Sequence, residues 1–390
     1  MSKCVIIKIN SCFKSLKHIK ENELMKSKTI GFVGLGLIGG SIAKAILKIY
    51  PDTRILATAS RDATIETAFE ERLIDNNGLL KLHQFGQCDI IFLCSPVKIN
   101  CDYLRQLKDV VKPGCILTDV GSVKGDITAV ARELGITNQF IGGHPMTGSE
   151  LTGLEHSSAS LLENAYYILT ADPEMNPETY REFGEYIASL GAIPIKLTPE
   201  EHDEATAAVS HLPHVIAAAL VNLVNDTDDE RAIKKTIAAG GFKDITRIAS
   251  GSPTMWQHIF LSNRDAVLKL IDEYQAQLDK FKDVIADSDA EGIMSLWTKA
   301  KDYRDSLTIP NSTLSRFYEL YCDIDDRPGT LVGVLQLLAN AEISVKNIDI
   351  IHNREFEPGV LRIEFYAEDP MKKAQTVLTH NNYYVRQRTN

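Results

Sequence analysis

The chain has 390 residues, seven cysteines and a formal net charge of -10 at pH 7. That length asks for two or three domains, and the acidic balance excludes nucleic acid or an anionic membrane surface as the main partner. The cysteines (Cys4, Cys12, Cys88, Cys94, Cys101, Cys115, Cys322) form no C-x-x-C pair and several fall in apolar runs, which fits reduced, mostly buried thiols in a cytoplasmic protein.

Residues 1–27 carry six lysines and one short apolar run, Cys4-Val5-Ile6-Ile7, too short to cross a membrane and not followed by a cleavage pattern. They read as a disordered extension, or as sequence upstream of a start at Met25. A dinucleotide-binding domain is expected over 28–198. It opens with a strand ending in Gly34-x-Gly36-x-x-Gly39, and helical spacing of Ile42, Ala43, Ile46 and Leu47 follows at once. In that setting Gly34 permits a tight turn, Gly36 admits a pyrophosphate, and Gly39 lets the helix lie close on the strand. The amides of the helix start, at Leu37 and Ile38, suit phosphate charge.

Arg54–Ala59, Asp89–Cys94 and Cys115–Asp119 are apolar throughout, as buried parallel strands are, and helices alternate with them. The fold class is therefore α/β, with a doubly wound (Rossmann-type) sheet. Ala165–Leu169 and Ala192–Lys196 extend the sheet after an expected loop at Gly142-Gly143-His144-Pro145. The second strand should end in an acid that holds the ribose of NAD. Ala59-Ser60-Arg61 stands there instead, with Asp62 one step late, so NAD and NADP both remain open.

Ser122 follows Asp119 at the C-terminal end of a strand, where such sheets bind ligands, and His144 would face the same crevice. Histidine suits a general base near neutral pH, although His144 could equally serve only to bond a carbonyl in a tight loop. From Glu200 the chain turns helical, giving a second domain over 199–307. There His211, Pro213 and His214 lie in one helix that the proline should kink. With His202 upstream a metal site is conceivable. No cysteine or carboxylate spacing supports it, so we expect no metal and favour a polar histidine cluster, with satisfied core histidines as the alternative. Gly240–Arg247 sets Lys243 and Arg247 four residues apart, and an arginine fork suits a carboxylate. The plainer option is an intrahelical pair with Asp244. Ser262 with Asp265, and Ser288 with Glu291, read as capping pairs that start two further helices. A bundle this small and apolar predicts a homodimer. A polar linker at 308–316 precedes a unit over 317–390 whose strands and helices run βαββαβ, a ferredoxin-like order.

Taken together, Gly34-x-Gly36-x-x-Gly39, Asp119–Lys124, Gly142–Glu150, Ser210–His214 and Gly240–Arg247, in this order, closely resemble prephenate dehydrogenase. The turn Asp325–Gly329 before a helix resembles an ACT domain, an amino-acid-binding module. The resemblance implies oxidative decarboxylation of prephenate to 4-hydroxyphenylpyruvate in tyrosine biosynthesis, with NAD first and NADP possible as cofactor. His144 would accept the hydroxyl proton, Ser122 would bind that hydroxyl or orient His144, and Arg247 would hold a substrate carboxylate. Ser149, Glu150, His211, His214, Lys243, Asp244, Thr246 and Trp256 would line the pocket. Ser60, Arg61, Ser95, Pro96 and Ser122 would join the glycine turn at the cofactor. L-Tyrosine would bind as effector at Arg327, Pro328, Gly329, Asn347 and Ile348. Arogenate as substrate, and a non-catalytic amino-acid sensor on a nucleotide-binding scaffold, stay open as alternatives.

Overall fold

The computed structural model describes residues 28–148, 151–307, 318–325, 327–351 and 359–387. The extension at 1–27, the linker at 308–316 and the candidates Ser149 and Glu150 lie outside the described residues. Two compact units are present, one through Trp297 and one from Thr298.

The first unit opens with β1 (Thr29–Val33), α1 (Leu37–Ile49), β2 (Arg54–Thr58) and α2 (Asp62–Glu70). A 3-10 turn (Leu82–Gln87) leads to β3 (Ile90–Leu93), α3 (Val97–Leu107), β4 (Ile116–Asp119), α4 (Gly125–Glu133) and β5 (Phe140–Pro145). The sheet is completed by β6 (Tyr166–Ala171), α5 (Pro177–Ser189) and β7 (Ile193–Lys196). Its order is β2-β1-β3-β4-β5-β6-β7, parallel except that β6 runs antiparallel to β5. Because β1 pairs with β2 on one side and β3 on the other, the order reverses there, and a crevice opens beyond their C-terminal ends. Phe32 and Phe92 stack at 5.1 Å in the core on one face. On the other face Gly31 makes room for Phe85, whose ring lies 2.6 Å from where a Cβ would stand. Burying each such ring stabilises the fold by roughly 1.5–3 kcal/mol.

The expected loop at Gly142–Pro145 is instead part of β5, and His144 pairs with Ile168 of β6. The glycines answer to close packing: a Cβ on Gly143 would come 2.6 Å from the Asp119 carbonyl oxygen. A glycine pair marks a turn only when nothing presses on the strand.

The helical part begins with α6 (Pro199–Thr206), a π turn (Ala207–His211) and α7 (Leu212–Thr227). Together they make a 29-residue helix, among the described residues one long and apolar enough to cross a membrane. The expected kink takes the form of the π turn. Pro213 has no N–H to give, and Leu212 N–H donates five residues back, to Ala207. Then come α8 (Ile233–Ile237), α9 (Gly240–Thr246), a 3-10 turn (Arg247–Ser250), α10 (Pro253–Ser262), α11 (Arg264–Ala286) and α12 (Ala290–Ser306). Both expected capping pairs are displaced. Ser262 ends α10, and Asn263 stands at the joint before α11. Ser288 is in left-handed backbone at φ 54°, and Asp289 takes the cap by accepting from Gly292 N–H at 3.0 Å. At the second site the neighbouring carboxylate reaches the free amide and takes the position, whereas Asn263 makes no side-chain cap and turns its amide to the Asp203 carbonyl and His211.

The second unit holds β8 (Glu319–Ile324), α13 (Thr330–Asn340), β9 (Asn347–Ile351), β10 (Gly359–Glu364), α14 (Glu368–His380) and β11 (Val385–Gln387). The sheet is antiparallel in the order β11-β8-β10-β9, the ferredoxin-like arrangement expected. Cys88, Cys101, Cys115 and Cys322 are buried and free. Burial pushes the Cys101 and Cys322 thiols up to about 11, which leaves them inert at neutral pH.

Candidate active site

The three glycines of the β1–α1 turn do three different jobs. Gly34 has φ +98°, which favours glycine. A Cβ on Gly39 would lie 2.7 Å from the Gly34 carbonyl oxygen. A Cβ on Gly36 would meet nothing within 4 Å, so the fold leaves that space open. Gly36 caps α1 without a side-chain bond, and no acid occupies the first turn of the helix. The helix start at Leu37 and Ile38 is thus a bare amide cradle that fits a dinucleotide phosphate. Ser95 belongs to the same cradle, its hydroxyl 2.9 Å from a Cβ built on Gly34. Buried Asn100 holds that loop, accepting from Ser95 N–H at 3.1 Å and donating to the Ser95 carbonyl at 2.7 Å. Pro96 caps α3, and Arg61 caps α2 beyond exposed Ser60 at the end of β2.

Beyond β4 and β5 lies a buried network. Asp119 accepts from Gly121 N–H at 2.8 Å and from Gly143 N–H at 3.2 Å, and it pairs with the Lys124 ammonium. Lys124 is wholly buried and also donates to the Gly143 carbonyl at 2.7 Å. Burial pushes its pKa down while Asp119 holds it up. The network therefore ties the loop carrying Ser122 to the strand carrying His144. His144 Nδ1 lies 2.8 Å from His202 Nε2, and His202 Nδ1 lies 2.7 Å from the Asp203 carboxylate. Asp203 in turn accepts from the amides of Lys124 and Gly125, both at 2.8 Å, so it caps α4 from another helix. Ser122 was expected to bind the hydroxyl or to orient His144; the orienting contact at Nδ1 comes from His202. Burial, reinforced by His202, Lys124 and His211, holds the His144 pKa well below the ordinary histidine value. The ring is neutral at pH 7 and able to take a proton.

A second group of rings adjoins this one. His211 Nδ1 faces the side-chain amide of Asn263 at 3.2 Å, and that amide also donates to the Asp203 carbonyl at 2.8 Å. His214 donates from Nδ1 to the Ser210 carbonyl at 2.8 Å and stacks on Trp256 at 3.7 Å. Trp256 also meets His211 edge-on at 6.1 Å. The structure thus gathers His144, His211, His214 and Trp256 about one polar interior. Lys243 and Asp244 are exposed on α9, Thr246 is buried with its hydroxyl on the Phe242 carbonyl, and Arg247 opens the 3-10 turn packed against α7. For His202 the sequence offers a metal site or a polar histidine cluster but not a partnership with His144, and it gives no role to Asp203, Asn263 or the buried pair. Only the adjacency of a histidine and an aspartate on a helix hinted at the first two.

In the second unit Gly329, at φ +92°, caps α13 with no side-chain bond, and Arg327 pairs with Asp325 at 3.8 Å. Asn347 and Ile348 begin β9, with Asn347 donating to Asp349 at 3.2 Å.

An amide cradle at the switch point of a parallel sheet, with a neutral histidine at a neighbouring strand end, defines a nicotinamide-dependent dehydrogenase. The sequence profile of the prephenate dehydrogenase nucleotide-binding domain matches residues 42–196, and that of the prephenate dehydrogenase dimerization domain matches 198–299. The chain is 37% identical to the prephenate dehydrogenase of Bacillus subtilis over 89% of its own length and 94% of that protein. It is 35% identical to that of Lactococcus lactis, over 90% and 97%. The solved prephenate dehydrogenase of A. aeolicus, in complex with hydroxyphenyl propionate and NAD+, superposes with a TM-score of 0.68 at 29% identity, covering 72% of this chain and 98% of that one. Synechocystis arogenate dehydrogenase gives 0.63 at 31% identity, covering 71% and 99%. The chain belongs to the prephenate dehydrogenase family.

Proposed function

We propose that this chain oxidises and decarboxylates prephenate to 4-hydroxyphenylpyruvate with NAD, as a cytoplasmic enzyme of tyrosine biosynthesis. The observation that carries the reading is His144: neutral, half-buried, its ring bonded only through Nδ1 among the described residues, and set at the C-terminal end of β5, on the same edge of the sheet as the cradle, in a chain of this family. The cradle at Gly34, Gly36, Leu37, Ile38, Gly39 and Ser95 would hold NAD, which supplies the acceptor for a hydride from the ring carbon bearing the hydroxyl. His144 Nε2 takes the hydroxyl proton, and Ser122 bonds the same oxygen. Arg247 holds a carboxylate of the substrate, with Lys243, His214 and Trp256 around it. As the bond to the ring carboxylate breaks, carbon dioxide leaves, the electron pair of that bond completes the aromatic ring, and the ring oxygen takes its proton back from His144. The step is downhill and needs positioning above all.

Two further parts belong to this reading. The helical part forms a homodimer, because α11 and α12 leave Ile285, Met294 and Trp297 exposed, the last two at 69%. The second unit works as an ACT-like module in which L-tyrosine binds at Arg327–Gly329, Asn347 and Ile348, its carboxylate on the uncapped start of α13. Absorbance of the reduced nicotinamide, with prephenate or arogenate and NAD or NADP, tests the main claim. Turnover with prephenate and NAD is expected, with some tolerance of NADP through Arg61. No turnover of prephenate with either cofactor would refute it.

A further inference from the structure

The hydrogen bonds around His202 determine which nitrogen of His144 carries the proton. Asp203 already accepts from two main-chain amides at the start of α4, where the helix dipole also favours an anion. A carboxylate held this way has only acceptor atoms to offer, so His202 must meet it with a protonated Nδ1. Burial keeps His202 from gaining a second proton, although Asp203 pulls the other way. Its Nε2 is then an acceptor, and His144 must donate to it from Nδ1. The lone pair of His144 is left on Nε2.

The neighbouring ring obeys the same logic. Asn263 gives one N–H to the Asp203 carbonyl, which can only accept, and directs the other at His211 Nδ1. The backbone of Asp203 is therefore anchored from the joint before α11 while its side chain is anchored on the start of α4. Two independent clamps hold the carboxylate that orders the relay.

We propose that His202 and Asp203 are positioning residues for His144, holding it in the tautomer whose Nε2 can take a proton, from the helical part while the base itself sits on the sheet. The inference rests on the reading of His144 as base, and two measurements on the full chain separate the claims. Nitrogen-15 spectra of histidine-labelled protein should show His144 protonated at Nδ1 and bare at Nε2, whatever the substrate. In kinetics, His202→Leu should lower kcat roughly 100-fold, the scale of a misplaced catalytic group, with KM changed by less than about threefold. His202→Gln keeps an acceptor near the place of Nε2 and should recover about tenfold of that loss. A wild-type His144 protonated at Nε2 would overturn the proposal, and that spectrum decides even if His202→Leu fails to fold. So would a folded His202→Leu with wild-type kcat, or a Gln variant no better than the Leu variant. If prephenate is never turned over, the reaction proposed above fails, while the tautomer spectrum still decides this inference.

Discussion

Alanine at position 36 should separate the needs of the fold from those of the cofactor. Gly36 has φ -107° and ψ -150°, an extended conformation open to alanine, and the added methyl meets no atom within 4 Å. The loss to stability is then only the preference of a helix cap for glycine over alanine, about 0.5–1 kcal/mol. In a chain of this size that lowers Tm by no more than about 4 °C. The methyl does stand where a phosphate must approach the amides of Leu37 and Ile38. Losing one such charge-assisted hydrogen bond, at about 1.5–3 kcal/mol, weakens NAD binding about 10- to 150-fold. Gly39→Ala provides the contrast. Its methyl would lie 2.7 Å from the Gly34 carbonyl oxygen and 3.2 Å from the Cys94 side chain, and forcing that contact costs about 1–3 kcal/mol of stability before any ligand is added. Thermal melting of the free proteins, followed by calorimetric titration with NAD, reads both quantities. A Gly36→Ala protein that binds NAD as tightly as wild type, or that melts lower than Gly39→Ala, would refute the division of labour among these glycines.

His144→Asn should keep the fold and substrate binding but lower kcat by about 100-fold or more, the scale of a lost general base; steady-state kinetics beside a melting curve checks this. Arg247→Lys keeps the charge but loses the two-pronged geometry, so KM should rise by more than kcat falls. The acid limb of the kcat–pH profile should lie below the ordinary histidine range, because burial holds the His144 pKa down and the base stays unprotonated as the pH falls past 6.5. Stability should move in the same direction. Burial lowers His211 from 6.5 to about 4, so the unfolded chain binds the extra proton first. Its contribution is full above about pH 6.5 and is lost as the pH falls toward about 4, which melting curves of wild type and His211→Asn would compare. Calorimetry on the full chain should show binding of L-tyrosine well above that of L-phenylalanine, since a site that bonds the phenol rejects the ring lacking it; Asn347→Ala should weaken it.

The elements of this protein were legible in its sequence because their signals are local. An apolar strand ending in Gly34-x-Gly36-x-x-Gly39, three buried strands alternating with helices, and a βαββαβ tail are patterns in which each residue answers to neighbours within a few positions. Local signals also named His144, His214 and Arg247, each inside a short motif, while Trp256 came from the resemblance alone. What tertiary structure alone decided is how these residues are held. His144 and His202 lie 58 residues apart, and Asp203 reaches Lys124 across 79. No periodicity records such pairs, because they arise only when α6 packs on the end of β5 and on the start of α4. The same holds for Gly142 and Gly143, which read as a turn until β4 and Lys124 press against them, and for Asn263, a joint between helices where the pattern promised a serine cap. A strand or helix is specified by hydrogen bonds within reach of its own chain, whereas the protonation state of a buried ring depends on the groups that packing brings to it.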